Sequence, residues 1–232
     1  MRNNRGKYSQ LFLKIAFLVY VVALFSLPIS ANEDLNEEDS SEAKKELNLQ
    51  VSADDNDVVE GSDGSFYLSS VDGALFGHYF WQSGVSMSSF YRWVTKDIKQ
   101  GETIQSAILT LYLKQDAANN TKGISTKFYG ISEDNTPVFS SEDKPSLRPI
   151  TKSSVIKDNW IDNNIEGTES EQTTSVSIDV TNIVQEIIAR SGFSEGNAIA
   201  IAHVNNNSWD AYGMSYEFST SPDYAPKLKI IH

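Results

Sequence analysis

Residues Ser175 to Val204 read SVSIDVTNIVQEIIARSGFSEGNAIAIAHV, and the spacing of their apolar residues changes twice. Ser175 to Ile178 alternates, as a half-buried strand does. Ile183, Val184, Ile187 and Ile188 then recur at helical spacing, which predicts a helix from about Val180 to Arg190 with one buried side. Asp179 is placed to cap its start, with Ile178 and Ile183 spaced as a hydrophobic staple. Arg190 suits the negative end of the helix dipole. Gly192 is expected to stop the helix in the left-handed conformation, with Phe193 folding back onto Ile188. Beyond Asn197, Ala198 to Ala202 is apolar on both faces and short, the pattern of a strand buried on both sides.

Working outward, strand signals are short and frequent. Ile104 to Leu113 follows the turn-like Lys99-Gln100-Gly101, and further candidates are Phe66–Ser69, Phe90–Val94, Lys127–Ile131, Val176–Ile178, Ser215–Phe218 and Lys227–Ile231. One helix among many strands predicts an all-β fold: a two-sheet antiparallel β-sandwich, jelly-roll-like, with one short α-helix. Ser132 to Gln172, with three prolines and many Ser, Asp and Asn, reads as long surface connection holding at most one or two strands.

At the other end, Arg2, Arg5, Lys7 and Lys14 precede an apolar run from Ile15 to Leu27, then Pro28, Ser30 and Ala31. This is the pattern of a secretory signal peptide over residues 1–31, and the run is too short for a spanning helix. An exported chain is expected, with no membrane span after cleavage, destined for a periplasm, a cell surface or the medium. Residues 32–47 (NEDLNEEDSSEAKKEL) read as an acidic disordered linker, and residues 48–232 as a single β-sandwich domain. The formal charge of −12 becomes −16 once the four leader cations are removed. That sign repels phosphate backbones and anionic lipid, which argues against nucleic acid as a partner. With no cysteine, the domain is held by packing rather than by disulfides.

Several pieces in fixed order carry a family resemblance: Asp54-Asp55 with Glu60-Gly61; Tyr91-Arg92-Trp93; Ile98 to Ile104 leading into Ser106-Ala107; Thr126 to Gly130 with Glu133, Asp134 and Asn135; Val184 to Arg190; Gly192-Phe193 and Gly196-Asn197-Ala198; Ser215-Tyr216-Glu217; and Ala225-Pro226-Lys227-Leu228. In that order the domain resembles the DNRLRE-type β-sandwich family, related to disaggregatase-related repeats and to alginate-binding-type carbohydrate-binding modules. The resemblance implies a sandwich fold and an accessory module of the kind appended to extracellular proteins. Against that setting, no catalytic neighbour is expected within residues 1–232.

The residues themselves offer three chemistries. His78, His203 and His232 have no zinc spacing, and no nucleophile elbow or phosphate-cradling loop is visible. Paired carboxylates for glycan cleavage have no fixed spacing, so Asp54, Asp55, Asp57, Glu60, Asp63, Asp179 and Glu217 all stay available. The run ADDNDVVEGSDG, Ala53 to Gly64, concentrates hard oxygen ligands beside two glycines, and Asp54, Asp55, Asp57, Glu60 and Asp63 are the candidate ligands of a structural Ca²⁺. Aromatic residues among polar ones suit sugar rings, whose C–H faces stack on flat side chains while amides bond their hydroxyls. Tyr79, Trp81, Trp160, Asn206, Trp209 and Tyr212 are the candidate carbohydrate-binding set, although Trp81 and Trp160 also suit a core. The first functional expectation is a secreted non-catalytic module binding extracellular polysaccharide. The alternatives are a structural or adhesive surface protein with a cell-surface protein partner and, third, a glycan-cleaving enzyme.

Overall fold

Twelve strands stand among the described residues of a computed structural model. They are β1 (Glu46–Gln50), β2 (Asp57–Gly61), β3 (Phe66–Tyr67), β4 (Ala74–Tyr79), β5 (Val85–Val94), β6 (Ser106–Leu113), β7 (Ser125–Ile131), β8 (Ile150–Asp158), β9 (Thr174–Asp179), β10 (Ala198–Asn205), β11 (Tyr212–Ser215) and β12 (Lys227–Ile231). One helix, α1 (Thr181–Ile188), and two 3₁₀ turns, η1 (Pro145–Leu147) and η2 (Pro222–Tyr224), complete the set. The structure describes residues 44–53, 56–68, 74–79, 84–113, 124–158, 160, 174–207, 212–215, 217 and 221–232.

The strands form two antiparallel sheets, as the sequence predicts. Ile108 of β6 pairs with both Lys229 and Asp179, so β12 and β9 flank β6 on opposite edges, and β1 lies outside β12. The first sheet is therefore β1-β12-β6-β9. In the second, Tyr91 of β5 pairs with both Asp57 and Ile201, and the order runs β2-β5-β10-β7-β8. The pair β4–β11 joins the two, β4 meeting β5 and β11 touching β6 at Leu113.

Period two decides what each sheet buries. Ala107, Leu109, Leu111, Leu228, Ile230 and Ile178 point inward from the first sheet and meet Tyr91, Trp93, Ile199, Ile201 and Phe128 from the second. The second sheet is apolar outside as well: Val58, Phe90, Ala200, Ala202 and Ile131 pack under Phe139. The connection from Ser132 to Pro149 is thus a cover for that face, which accounts for the two-sided apolar pattern of Ala198 to Ala202. Helix α1 buries Ile183, Val184, Ile187 and Ile188 and packs against β6, β7 and β8. A Cβ on Gly130 would come within 2.7 Å of Ile187 Cδ1 and 2.9 Å of Ile183 Cγ2, so glycine lets the helix seat on β7.

Three expectations are corrected in detail. Val180, not Asp179, is the N-cap, while Asp179 Oδ1 accepts from Thr181 N–H at 2.9 Å and Thr181 Oγ1 accepts from Ala107 N–H at 2.9 Å. Gly192 does not adopt positive φ; a side chain there would sit 2.1 Å from Asp134 Oδ2, so close approach is what it provides. Asp134 in turn holds Arg190, with Nε to Oδ1 at 2.7 Å. Finally, β1 begins within the stretch read as linker, and Lys45 exchanges backbone hydrogen bonds with His232.

Candidate functional site

The outer face of the second sheet carries the Ser132–Pro149 cover, whereas that of the first is open and polar among the described residues. Every second residue of β1, β12, β6 and β9 points outward, and the register lines them up across four strands. One row is Gln50, Lys227, Thr110 and Ser177; the next is Asn48, Lys229, Ile108 and Asp179. A shallow groove of about 340 Å³ lies here, lined by Asn48, Leu49, Gln50, Thr110, Lys227, Leu228 and Lys229.

One end of the groove is aromatic. Tyr112, the next outward residue of β6, meets Tyr224 of η2 with ring centroids 5.4 Å apart and planes inclined at 55°. Gln50 Nε2 donates to the Pro222 carbonyl and so ties η2 to the sheet. Lys227 Nζ lies 5.0 Å above the Tyr112 ring and 3.4 Å from its hydroxyl. Lys229 Nζ is 2.8 Å from Glu46 Oε2, and that contact, with Asn48, holds the Glu46 carboxyl below its ordinary pKa. The face thus offers one inclined ring pair, two amides, hydroxyls and two ammonium groups. That donor set suits hydroxyl-rich ligands.

A second concentration of polar groups lies inside. Asp57, Ser89, Tyr91, His203, Ser215 and Glu217 are each 1% exposed or less. His203 is packed by Phe128 at 4.3 Å, Phe76 at 4.6 Å and Trp160 at 4.9 Å, and neither ring nitrogen has a hydrogen-bond partner among the described residues. Burial pushes its pKa down to about 3, so the ring is neutral. Burial likewise raises the Tyr91 hydroxyl, opposed by Ser215 and Ser89 and reinforced by the carboxylates of Asp57 and Glu217. No polymer reaches this cluster.

Set against known proteins, the chain matches no family model and no curated sequence.

The sequence-derived candidates scatter. Trp160 is 3% exposed, its Nε1 donating to Thr126 Oγ1 at 2.9 Å, so it belongs to the core and is removed from the sugar-binding set. Asn206 Nδ2 donates to Ser125 Oγ at 2.9 Å. Tyr79 and Tyr212 have their backbones in β4 and β11; Trp81 and Trp209 lie outside the described residues. Of the calcium set, Asp54 and Asp55 also lie outside them. The rest of that run is largely strand: Asp57 shares the inward face of β2 with Val59, while Glu60 shares the opposite face with Val58 and accepts from Ser146 N–H at 3.1 Å. Opposite faces keep Asp57 and Glu60 from sharing one ion. Asp63 Oδ1 accepts from Ser65 N–H at 3.0 Å and its hydroxyl at 2.7 Å, which lowers the Asp63 pKa. Among the described residues no three His, Cys, Asp or Glu gather as a metal-binding group, and no helix is long and apolar enough to cross a membrane.

The groove residues were not anticipated from sequence. Their only local trace is the alternation in ELNLQ and KLKII, and strand pairing alone brings those two segments together.

Proposed function

We propose that the protein is a non-catalytic module that binds extracellular polysaccharide on the open face of the β1-β12-β6-β9 sheet. The supporting observation is the groove walled by Asn48, Gln50, Lys227 and Lys229, with the Tyr112–Tyr224 pair at one end. A sugar ring stacks its C–H face on an exposed tyrosine, and the amides and ammonium groups take its hydroxyls. The open groove suits an internal stretch of polymer over a chain end. The secretory pattern of residues 1–31 supports an extracellular setting.

The test is binding of purified protein to immobilised neutral and acidic polysaccharides, with calcium and with a chelator, while released sugar is assayed in parallel. Saturable retention without release is expected, reduced at least tenfold in the double variant Y112A/Y224A. Retention unaffected by that double variant refutes the face; no retention on any polymer refutes the function.

A protein-binding role has one observation of its own. Leu147 (82% exposed), Ile150 (52%) and Val138 (48%) leave apolar surface on and beside the cover of the second sheet. Loss of cell-surface attachment in L147S/I150S, with polysaccharide retention intact, would favour that reading.

A further inference from the structure

The charge of the groove runs against that of its domain. From Asn48 onward the chain has 24 acidic and 13 basic residues, yet the groove lining holds two lysines and no acid. The two lysines are not equivalent. Lys229 is neutralised by Glu46 at 2.8 Å, whereas Lys227 Nζ meets Tyr112 and, among the described residues, pairs with no carboxylate. An ammonium group held over a tyrosine ring, beside the surface on which a sugar would stack, is placed to meet an anionic substituent on that sugar or its neighbour.

Resting on the polysaccharide reading above, we infer that the face selects a polymer carrying occasional carboxylates among neutral sugars. Lys227 takes the carboxylate and Tyr112–Tyr224 an adjacent sugar ring. The sparse spacing follows from the groups on the face. Charge beyond about 8 Å is screened at physiological salt, so one carboxylate senses Lys227 locally. A dense polyuronate would lay several carboxylates where Lys229 is already paired with Glu46 and Asp179 stands in the same row, so its further charges find no cation.

Three polymers decide this: a xylan with glucuronic acid on a minority of its sugars, the same xylan with those carboxyls reduced to alcohols, and polygalacturonate. At 50 mM salt the acidic xylan is expected to bind about fivefold tighter than its reduced form, the scale of one partly exposed charge-assisted contact. The gap should narrow at 500 mM salt and vanish in K227Q. Polygalacturonate is expected to bind more weakly than the acidic xylan. Equal binding of the acidic and reduced xylans overturns the inference and leaves the polysaccharide reading standing, as does a gap that survives in K227Q. Tightest binding of polygalacturonate overturns the sparse spacing. Binding of none of these, nor of any polymer in the wider panel, overturns the underlying reading.

Discussion

Between pH 7.5 and 5.5, above the range where carboxylates titrate, acid should weaken this fold chiefly through one residue. His203 is fully buried among Phe76, Phe128 and Trp160, and its pKa is about 3 in the folded chain against about 6.5 in an unfolded one. The folded-state value is the lower, so below pH 6.5 the unfolded chain takes up a proton that the folded chain refuses. The stability that rests on neutral His203 is complete above about pH 6.5 and is lost as the pH falls from there towards 3. Linkage gives a loss of about 1.4 kcal/mol between pH 7.5 and pH 5.5 from this group alone. The perturbation is H203F, which keeps an aromatic ring against Phe128 and removes both unpartnered nitrogens. Phe is slightly larger, so overpacking of about 1–3 kcal/mol can shift absolute stability; the pH slope is the readout. Urea unfolding followed by tryptophan fluorescence at pH 7.5, 6.5 and 5.5 should show the wild type losing about 1.4 kcal/mol more than H203F across that range. H203M serves the same purpose with a more adaptable side chain. Parallel pH dependence in wild type and both variants would refute the argument, placing the acid sensitivity in the carboxylates instead.

Two further outcomes test the packing. G192A forces a methyl group against the Asp134 carboxylate that holds Arg190, and should cost about 1–3 kcal/mol in denaturant unfolding; a neutral result would mean that the Asp134 loop yields freely. Glu186 Oε1 and Oε2 each accept, at 2.8 Å, from the backbone N–H groups of Lys152 and Ser153 on edge strand β8, and this holds the carboxyl below its ordinary pKa. E186A should raise amide exchange at Lys152 and Ser153 while leaving the α1 core protected, and unchanged exchange would show that the edge needs no carboxylate.

The organising stretch Ser175–Val204 was legible because its helix face and its two-sided strand are signals of local spacing. Gly192 was misread because a glycine kept for left-handed backbone and one kept for close approach look the same in sequence; only the position of Asp134 tells them apart. Strand β2 was hidden inside an acidic run because Asp57 and Glu60 are buried polar residues, and burial of charge is the exception that composition argues against. Strand β8 was hidden for a related reason: on its outer face Lys152, Ser154 and Asp158 are exposed, and Ser153 and Lys157 stand on the inner one, so KSSVIKD reads as loop. The groove had no contiguous signal, since its residues come from three segments, β1 and β12 at opposite ends of the domain and Thr110 of β6 between them.

That last pairing governs how the chain can fold. The outermost strand of the first sheet, β1, hydrogen-bonds among the described residues to β12 and to no other strand, from Glu46 against Ile231 to Gln50 against Lys227. During synthesis β1 therefore emerges first and waits, partnerless, until the final strand has left the ribosome. The groove between them is the last feature to be built. Such high contact order makes for slow folding. The first sheet closes only when the whole domain has been synthesised.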